Sequence, residues 1–326
     1  MRSRFHLDKL SFLLLVAAPV VMVNACRSGD AETTEPIQSE TADPFSGYSE
    51  AYKEVTVPGS LTLPKTGYQE PLTPKGDLSS LALTYQSVNW EQVMADVMAL
   101  RYETGSYLTE QTPKGMELAA LWMQGQTDSF EELVERMPLV VGELAKHFGK
   151  QVANDVGGSM FALVVRDDQT LVLPRIDTPA RSEIYSKIDS SVANIYTYYL
   201  QGPEGAGDFF DLLAELNAAT HGLFTAYGVS DWLPETSSVT QGEAVLTFMM
   251  YVQVYLRHVR ENHPAIYAAL QAEPGIQDAV TLLWARGLFI LNVANEGGIL
   301  PSLPGKMAEK VNESGALEEI SNFTSN

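Results

Sequence analysis

The sequence predicts a mainly α-helical protein, a multi-helix, bundle-like body with one small β-hairpin near 160–176. Three observations carry that reading. Apolar residues recur at helical spacing in segment after segment, polar capping residues open those segments, and Gly or Pro closes them. Only Met160–Ile176 changes pattern, to apolar β-branched runs on either side of a polar turn.

The elements follow in order. Asn89-Trp90-Glu91-Gln92 has the form of a capping box, and Val93, Val97, Met98 and Leu100 carry a helix to about Tyr102. Thr112-Pro113, a cap and a first-turn proline, opens a short helix that stops near Gly125. Ser129-Phe130-Glu131-Glu132 is a second capping box, and its helix runs to about Val152 with a kink expected at Pro138. Met160–Val165 and Leu171–Ile176 flank Arg166-Asp167-Asp168-Gln169-Thr170 as the hairpin, which also marks a sub-boundary near 159–177. Thr178-Pro179 opens a helix with Ile184, Ile188, Val192, Ile195 and Tyr199 on its stripe. Asp208 caps Phe209–Tyr227, and Thr240-x-x-Glu243 caps a long helix toward Asn262. Pro264–Glu273 is short, and Ile276–Ala294 ends at Gly297-Gly298. The stretches Ala244–Leu256 and Leu288–Val293 are apolar nearly all round, so they belong at the centre of a core.

The N-terminus reads differently. Arg2, Arg4 and Lys9 precede the apolar run Leu10–Ala25, which is shorter than the roughly 20 residues of a membrane span and is interrupted by Pro19. That is the layout of a secretory signal peptide over 1–25. Val23-Asn24-Ala25-Cys26 resembles the lipobox of bacterial lipoprotein precursors, with Asn24 in the tolerant position. The resemblance covers residues 1–26 and implies that the Cys26 thiol receives a diacylglyceryl group and that cleavage after Ala25 frees the Cys26 amine. The implied location is the bacterial cell envelope, with a lipid bilayer as partner through acylated Cys26. Arg27 follows in place of the Asp that resembles an inner-membrane retention signal, which in a Gram-negative envelope favours the outer membrane, facing the periplasm or the cell surface. Two or three acyl chains, at about 0.8 kcal/mol per buried methylene, hold firmly where one does not.

Residues 26–78 read as a lipid-attached, acidic and Pro-rich disordered tether, the part from Val57 to Asp77 crossing the surface of the body. Residues 79–303 form the helical globular domain, and 304–326 a polar C-terminal tail that frays. The chain carries a formal charge of −20 over 326 residues. Removing residues 1–25, a net +2 from Arg2, Arg4 and Lys9 against Asp8, leaves −22 on the mature chain. So acidic a protein repels polyanions, and no nucleic-acid partner is expected. Cys26 is the single cysteine, so its acylation leaves no thiol for disulfides, metal thiolates or nucleophilic catalysis.

Catalytic templates find little to match. There is no G-x-S-x-G elbow, Walker loop or G-x-G-x-x-G, no cofactor is implied, and the enzyme reading is disfavoured. Asp208, Asp211 and Glu215 share a helical face and read as a solvated stripe. His147 lies four residues after Glu143, and His258 three before Glu261, so each pair shares a face and two such helices side by side would make a two-His, two-carboxylate site. Against this, the apolar stripe Val141, Leu144, Phe148 and Val152 turns Glu143, Lys146, His147 and Lys150 toward water. His221 reads as a half-buried histidine without a partner. Tyr185, Tyr196, Tyr198 and Tyr199 cluster as core packing with polar tips. The function expected is therefore that of a non-catalytic, membrane-anchored envelope lipoprotein whose helical domain binds an envelope protein or a small ligand. The alternative is a metal-binding protein or metal-dependent enzyme using Glu143, His147, His258 and Glu261.

Overall fold

The helices whose sequences are apolar on nearly every face form the centre of the body. A computed structural model describes residues 53–54, 64–65, 67–112, 114–300 and 305–324, and among these the chain is mainly helical with two small antiparallel ladders. Cys26, the segment before it and most of the tether lie outside the described residues.

Helices α1 (Ser79–Thr84), α2 (Trp90–Arg101), α3 (Glu103–Gln111) and α4 (Gly115–Met123) precede the long α5 (Phe130–Val156), and α2, α3 and α4 pack against it. Ser129 caps α5 as expected, its hydroxyl accepting from the Glu132 amide at 3.2 Å, and the helix continues through Pro138. Helix α6 (Phe209–Gly228) lies between α5 and α7 (Glu235–Asn262) and packs on both. It opens with a box made of two aspartates, in which Asp208 and Asp211 accept from each other's backbone N–H at 3.1 and 3.0 Å. Phe209, Phe210, Leu212, Leu213 and Leu216 are buried behind that cap. Each such burial contributes about 1.5–3 kcal/mol. Helix α8 (Pro264–Gln271) turns the chain into α9 (Pro274–Glu296), which packs on α6 and α7. By length and composition α9 could cross a membrane, but 72% of its most apolar window is buried inside the body.

Strands Met160–Arg166 and Gln169–Pro174 form the expected hairpin, and a two-residue ladder pairs Lys53–Glu54 with Pro64–Lys65. The hairpin is no seam. Its first strand packs on α5 and α6 and its second on α9. Its register slips between Val164 and Arg166, a bulge that redirects the Arg166 end of the strand.

Three expectations need correction. The helix expected from Thr178 is replaced by 3-10 turns at Arg181–Lys187 and Ile195–Leu200. Short polar side chains capture the backbone there, with Asp189 accepting from the Ser191 amide at 2.8 Å and Asn194 from the Tyr196 amide at 2.9 Å. The polar tail is two docked helices, α10 (Gly305–Asn312) and α11 (Ser314–Thr324), which bury Met307, Val311, Ile320 and Phe323. Polar groups that interrupt α7 receive them: Gln253 donates to the Val311 carbonyl at 2.9 Å, and Arg260 forks onto Glu319. Finally, the tether does not extend to residue 78. Tyr68, Glu70 and Leu78 are buried in the body.

Gly142 sets how closely α5 approaches α6. A Cβ built there would stand 2.7 Å from the Ala218 carbonyl oxygen, a backbone atom that cannot turn away. Gly142→Ala is expected to destabilise the fold by about 1–3 kcal/mol despite alanine's better helix propensity. Gly315→Ala, whose added methyl meets only the far end of Arg257, is expected to stay within about 0.5 kcal/mol of the parent. Urea denaturation of both variants measures the contrast.

Candidate functional site

A fully buried arginine stands behind a recess in the body. Arg286 sits in the middle of α9 with no exposed surface. Its Nε donates to Glu70 Oε2 at 2.8 Å, and its Nη2 donates to Glu70 Oε1 at 3.2 Å and to the Tyr102 hydroxyl at 3.1 Å. Tyr68 adds a hydrogen bond to Glu70 from its own hydroxyl. The guanidinium lies 4.5 Å from the centre of the Phe224 ring, and Tyr102 stacks on that same ring with centres 5.6 Å apart.

The chain of hydrogen bonds continues with a fixed polarity. The Tyr102 oxygen accepts from Arg286, so its proton is available to His221 Nδ1 at 2.7 Å. His221 therefore carries its proton on Nε2 and donates it to the Val164 carbonyl at 2.8 Å. Asn217 donates to the same carbonyl at 2.9 Å. Burial first, and the Arg286 charge second, hold the His221 pKa well below its usual value, so the ring is neutral. Burial also raises the Tyr102 and Tyr68 hydroxyls, which stay protonated. Burial opposes the Arg286 charge, but Glu70, then Tyr102, outweigh it and raise its pKa further.

Over this chain lies a strap, residues 68–78, pinned along its length. Thr73 Oγ1 accepts from the Glu103 amide at 3.0 Å, Lys75 donates to Ser230 at 2.8 Å and covers the Tyr227 ring at 4.4 Å, and the Gly76 amide meets the Leu100 carbonyl at 3.3 Å. Between strap, α2–α3 corner and hairpin turn is a cleft of about 280 Å³. Glu70, Thr73, Arg101, Tyr102, Arg166 and Asp167 are among its lining residues. Arg101 forks onto Asp231 at 2.7 and 3.0 Å, and Arg166 pairs with Asp168 at 2.9 Å. Each still holds a buried Nε–H with no acceptor among the described residues. Thr104 donates to Asp167 at 3.2 Å.

The residues singled out by spacing fall elsewhere. His147 and Glu143 on α5 do not meet His258 and Glu261 on α7, because α6 packs between those helices. His147 rests against Trp122 at 5.1 Å. Glu143, Lys146 and Glu215 do not face water but form an ion triad between α5 and α6, with Lys146 2.7 Å from Glu143 and 3.1 Å from Glu215. Burial raises the Glu215 pKa against the pull of Lys146. Asp208 and Asp211 bind Arg175 at 2.8 and 3.5 Å. His221, expected half-buried and unpartnered, is fully buried and bonded at both ring nitrogens. Tyr196 and Tyr199 pack on Phe248, while Tyr185 is exposed. His258 pairs with Glu183, not Glu261, and His263 joins them. These three are the described His/carboxylate side chains whose ligating atoms gather closely enough to hold a metal. Glu70, Tyr102 and Arg166 carry no motif. Only Arg286, a charge inside an apolar helix, signals the site in the sequence.

Breaking one half of a buried ion pair leaves an uncompensated charge. Glu70→Gln and Arg286→Met are each expected to cost about 3–5 kcal/mol of stability, and the double variant less than the two together. Equilibrium denaturation of the three variants measures the coupling. Compared with protein-family models, curated proteins and solved structures, the chain matches none of them.

Proposed function

We propose that this chain is a lipid-anchored protein of the bacterial cell envelope whose helical body binds a small zwitterionic molecule and acts by binding rather than by turnover. The observation that carries the ligand half is the cleft of about 280 Å³ beside the Arg286–Glu70 pair, with charges of both signs on its walls. That volume is near the lower end of small-molecule sites, which begin at about 300 Å³. Arg101 and Arg166 supply guanidiniums whose Nε–H groups lack an acceptor among the described residues, and an entering carboxylate would satisfy them. Asp231 and Asp168 already offset those arginines. Glu103 and Asp167, both exposed at the same cleft, supply negative charge for an ammonium group. The neutral, proton-ordered His221 and Tyr102 keep the floor rigid, so the cleft is preorganised for a ligand of fixed polarity. The anchor half rests on Cys26 and its lipobox-like setting.

Two experiments test the halves separately. Thermal unfolding is measured with a panel of free amino acids, betaines and dipeptides. At least one should raise the melting temperature, by the equivalent of about 2.7 kcal/mol at a hundred times its Kd. Arg166→Ala and Asp167→Asn, both at the exposed hairpin turn, should abolish the shift without unfolding the chain. A panel without effect, or variants that respond like the parent, removes the ligand reading. For the anchor, Cys26→Ser should leave the membrane fraction and retain its precursor mass. Mass spectrometry finding a free Cys26 thiol in the parent chain removes that half.

A further inference from the structure

We infer that Glu183, His258 and His263 form a binding site for a zinc-type divalent cation, on a part of the molecule distinct from the cleft. Nothing in the spacing of these residues announces it. His258 lies one turn before the end of α7, and His263 is the residue between α7 and α8. A separation of five does not place two side chains on one helical face. They meet because Pro264 follows. The residue before a proline is driven out of the helical region, and His263 takes φ −134° and ψ 54°. The bend returns its ring toward His258, with ring centres 5.6 Å apart. Glu183 arrives on the 3-10 turn Arg181–Lys187, which packs on α7.

The donor set suits zinc. Two imidazole nitrogens and one carboxylate oxygen are the three-protein-ligand pattern that leaves a fourth position for water or another ligand. Here the ligating atoms all lie within 4.8 Å of one another. His258 Nε2 is 2.8 Å and His263 Nε2 3.0 Å from the same oxygen, Glu183 Oε2. Around a tetrahedral zinc with bonds near 2.0–2.1 Å, ligand atoms stand about 3.3 Å apart, so each nitrogen–oxygen separation need widen by only a few tenths of an ångström, and the two nitrogens, within 4.8 Å of each other, adjust by turning the exposed His263 ring. The environment is graded as an open site needs. The His258 side chain is 8% exposed and fixed, whereas His263 is 33% and Glu183 41% exposed and face the approaching ion. The protein's formal charge of −20 favours accumulation of cations at its surface.

Asn262 completes the argument as an orienting residue. Its Nδ2 donates to the His258 carbonyl at 2.9 Å and to His258 Nδ1 at 3.0 Å. That contact leaves the His258 proton on Nε2, where it bonds Glu183. A metal on Nε2 requires the proton to move to Nδ1, and rotation of the Asn262 amide then presents its oxygen to that N–H while giving up the Nδ2 bond to the His258 carbonyl. Histidine ligands commonly have such an acceptor behind them, and its replacement changes metal affinity by about 10–100-fold.

The test uses the full chain in detergent, stripped with a chelator, dialysed and titrated with zinc chloride by calorimetry. About one equivalent should bind. Glu183→Gln and His263→Ala, chosen because both side chains are exposed enough to spare the fold, should weaken binding at least about tenfold while melting like the metal-free parent. Cobalt(II) should give the visible absorption of a tetrahedral site in the parent and lose it in both variants. Asn262→Asp, which supplies a permanent acceptor, should tighten zinc by about tenfold. The inference is overturned if the parent binds less than about a tenth of an equivalent, if the two variants bind as the parent does, or if Asn262→Asp weakens binding.

Discussion

The fold is arranged around the requirement that Arg286 never lose its counter-charge. A guanidinium inside an apolar helix has no water to turn to, and leaving it unpaired costs several kcal/mol. Glu70 is the partner, and it comes from the far N-terminal side of the body, more than two hundred residues away in sequence. The strap must therefore close before the core is complete. Once it closes, Tyr68 seats beside Phe289, Tyr102 is held between Arg286 and His221, and the α2–α3 corner is fixed against α6. Five separate segments meet in one hydrogen-bonded chain. Its ends, Glu70 and the Val164 carbonyl, are far apart in sequence and neither belongs to a helix.

That chain illustrates what was legible in the sequence and what was not. Helix identity is local. Ser129 and Asp208 cap where their side chains suggest, and the alternation around Arg166–Thr170 yields the hairpin. Helix α7 starts at Glu235, earlier than its Thr240 signal, because Pro234 already provides the opening and Thr240 instead bonds back to the Thr236 carbonyl. The 178–200 region has helical spacing, but Asp189 and Asn194 offer the backbone nearer partners than the next turn would. Composition misleads twice. The strap is rich in Pro and Gly, and the tail in charge, yet a few apolar residues in each are enough to dock them on a surface that supplies Gln253, Arg260 and Arg286 as receivers.

The candidate sites were less legible because each depends on residues distant in sequence. His147 and His258 share helical faces with carboxylates, which is a local property, but α6 stands between them. Glu143 does meet a carboxylate across a helix boundary, but Lys146 takes up both Glu143 and Glu215, so that cluster is an ion triad rather than an open donor set. Glu183 and His263 emerge only once a proline bend and a 3-10 turn are placed in space. The acidic surplus, by contrast, is visible from composition alone.

The strap also has a mechanical meaning. Its seating continues N-terminally into Pro64–Lys65, which also packs on α9. Tension applied to the chain ahead of the strap would pass through Tyr68 and Glu70. Glu70 is also a wall of the cleft and, with Tyr68 bonded to it, the counter-charge of the core. Tension on that backbone and a molecule in the cleft would therefore act on the same few side chains, and a pull strong enough to lift the strap would open the recess and expose Arg286 in a single event.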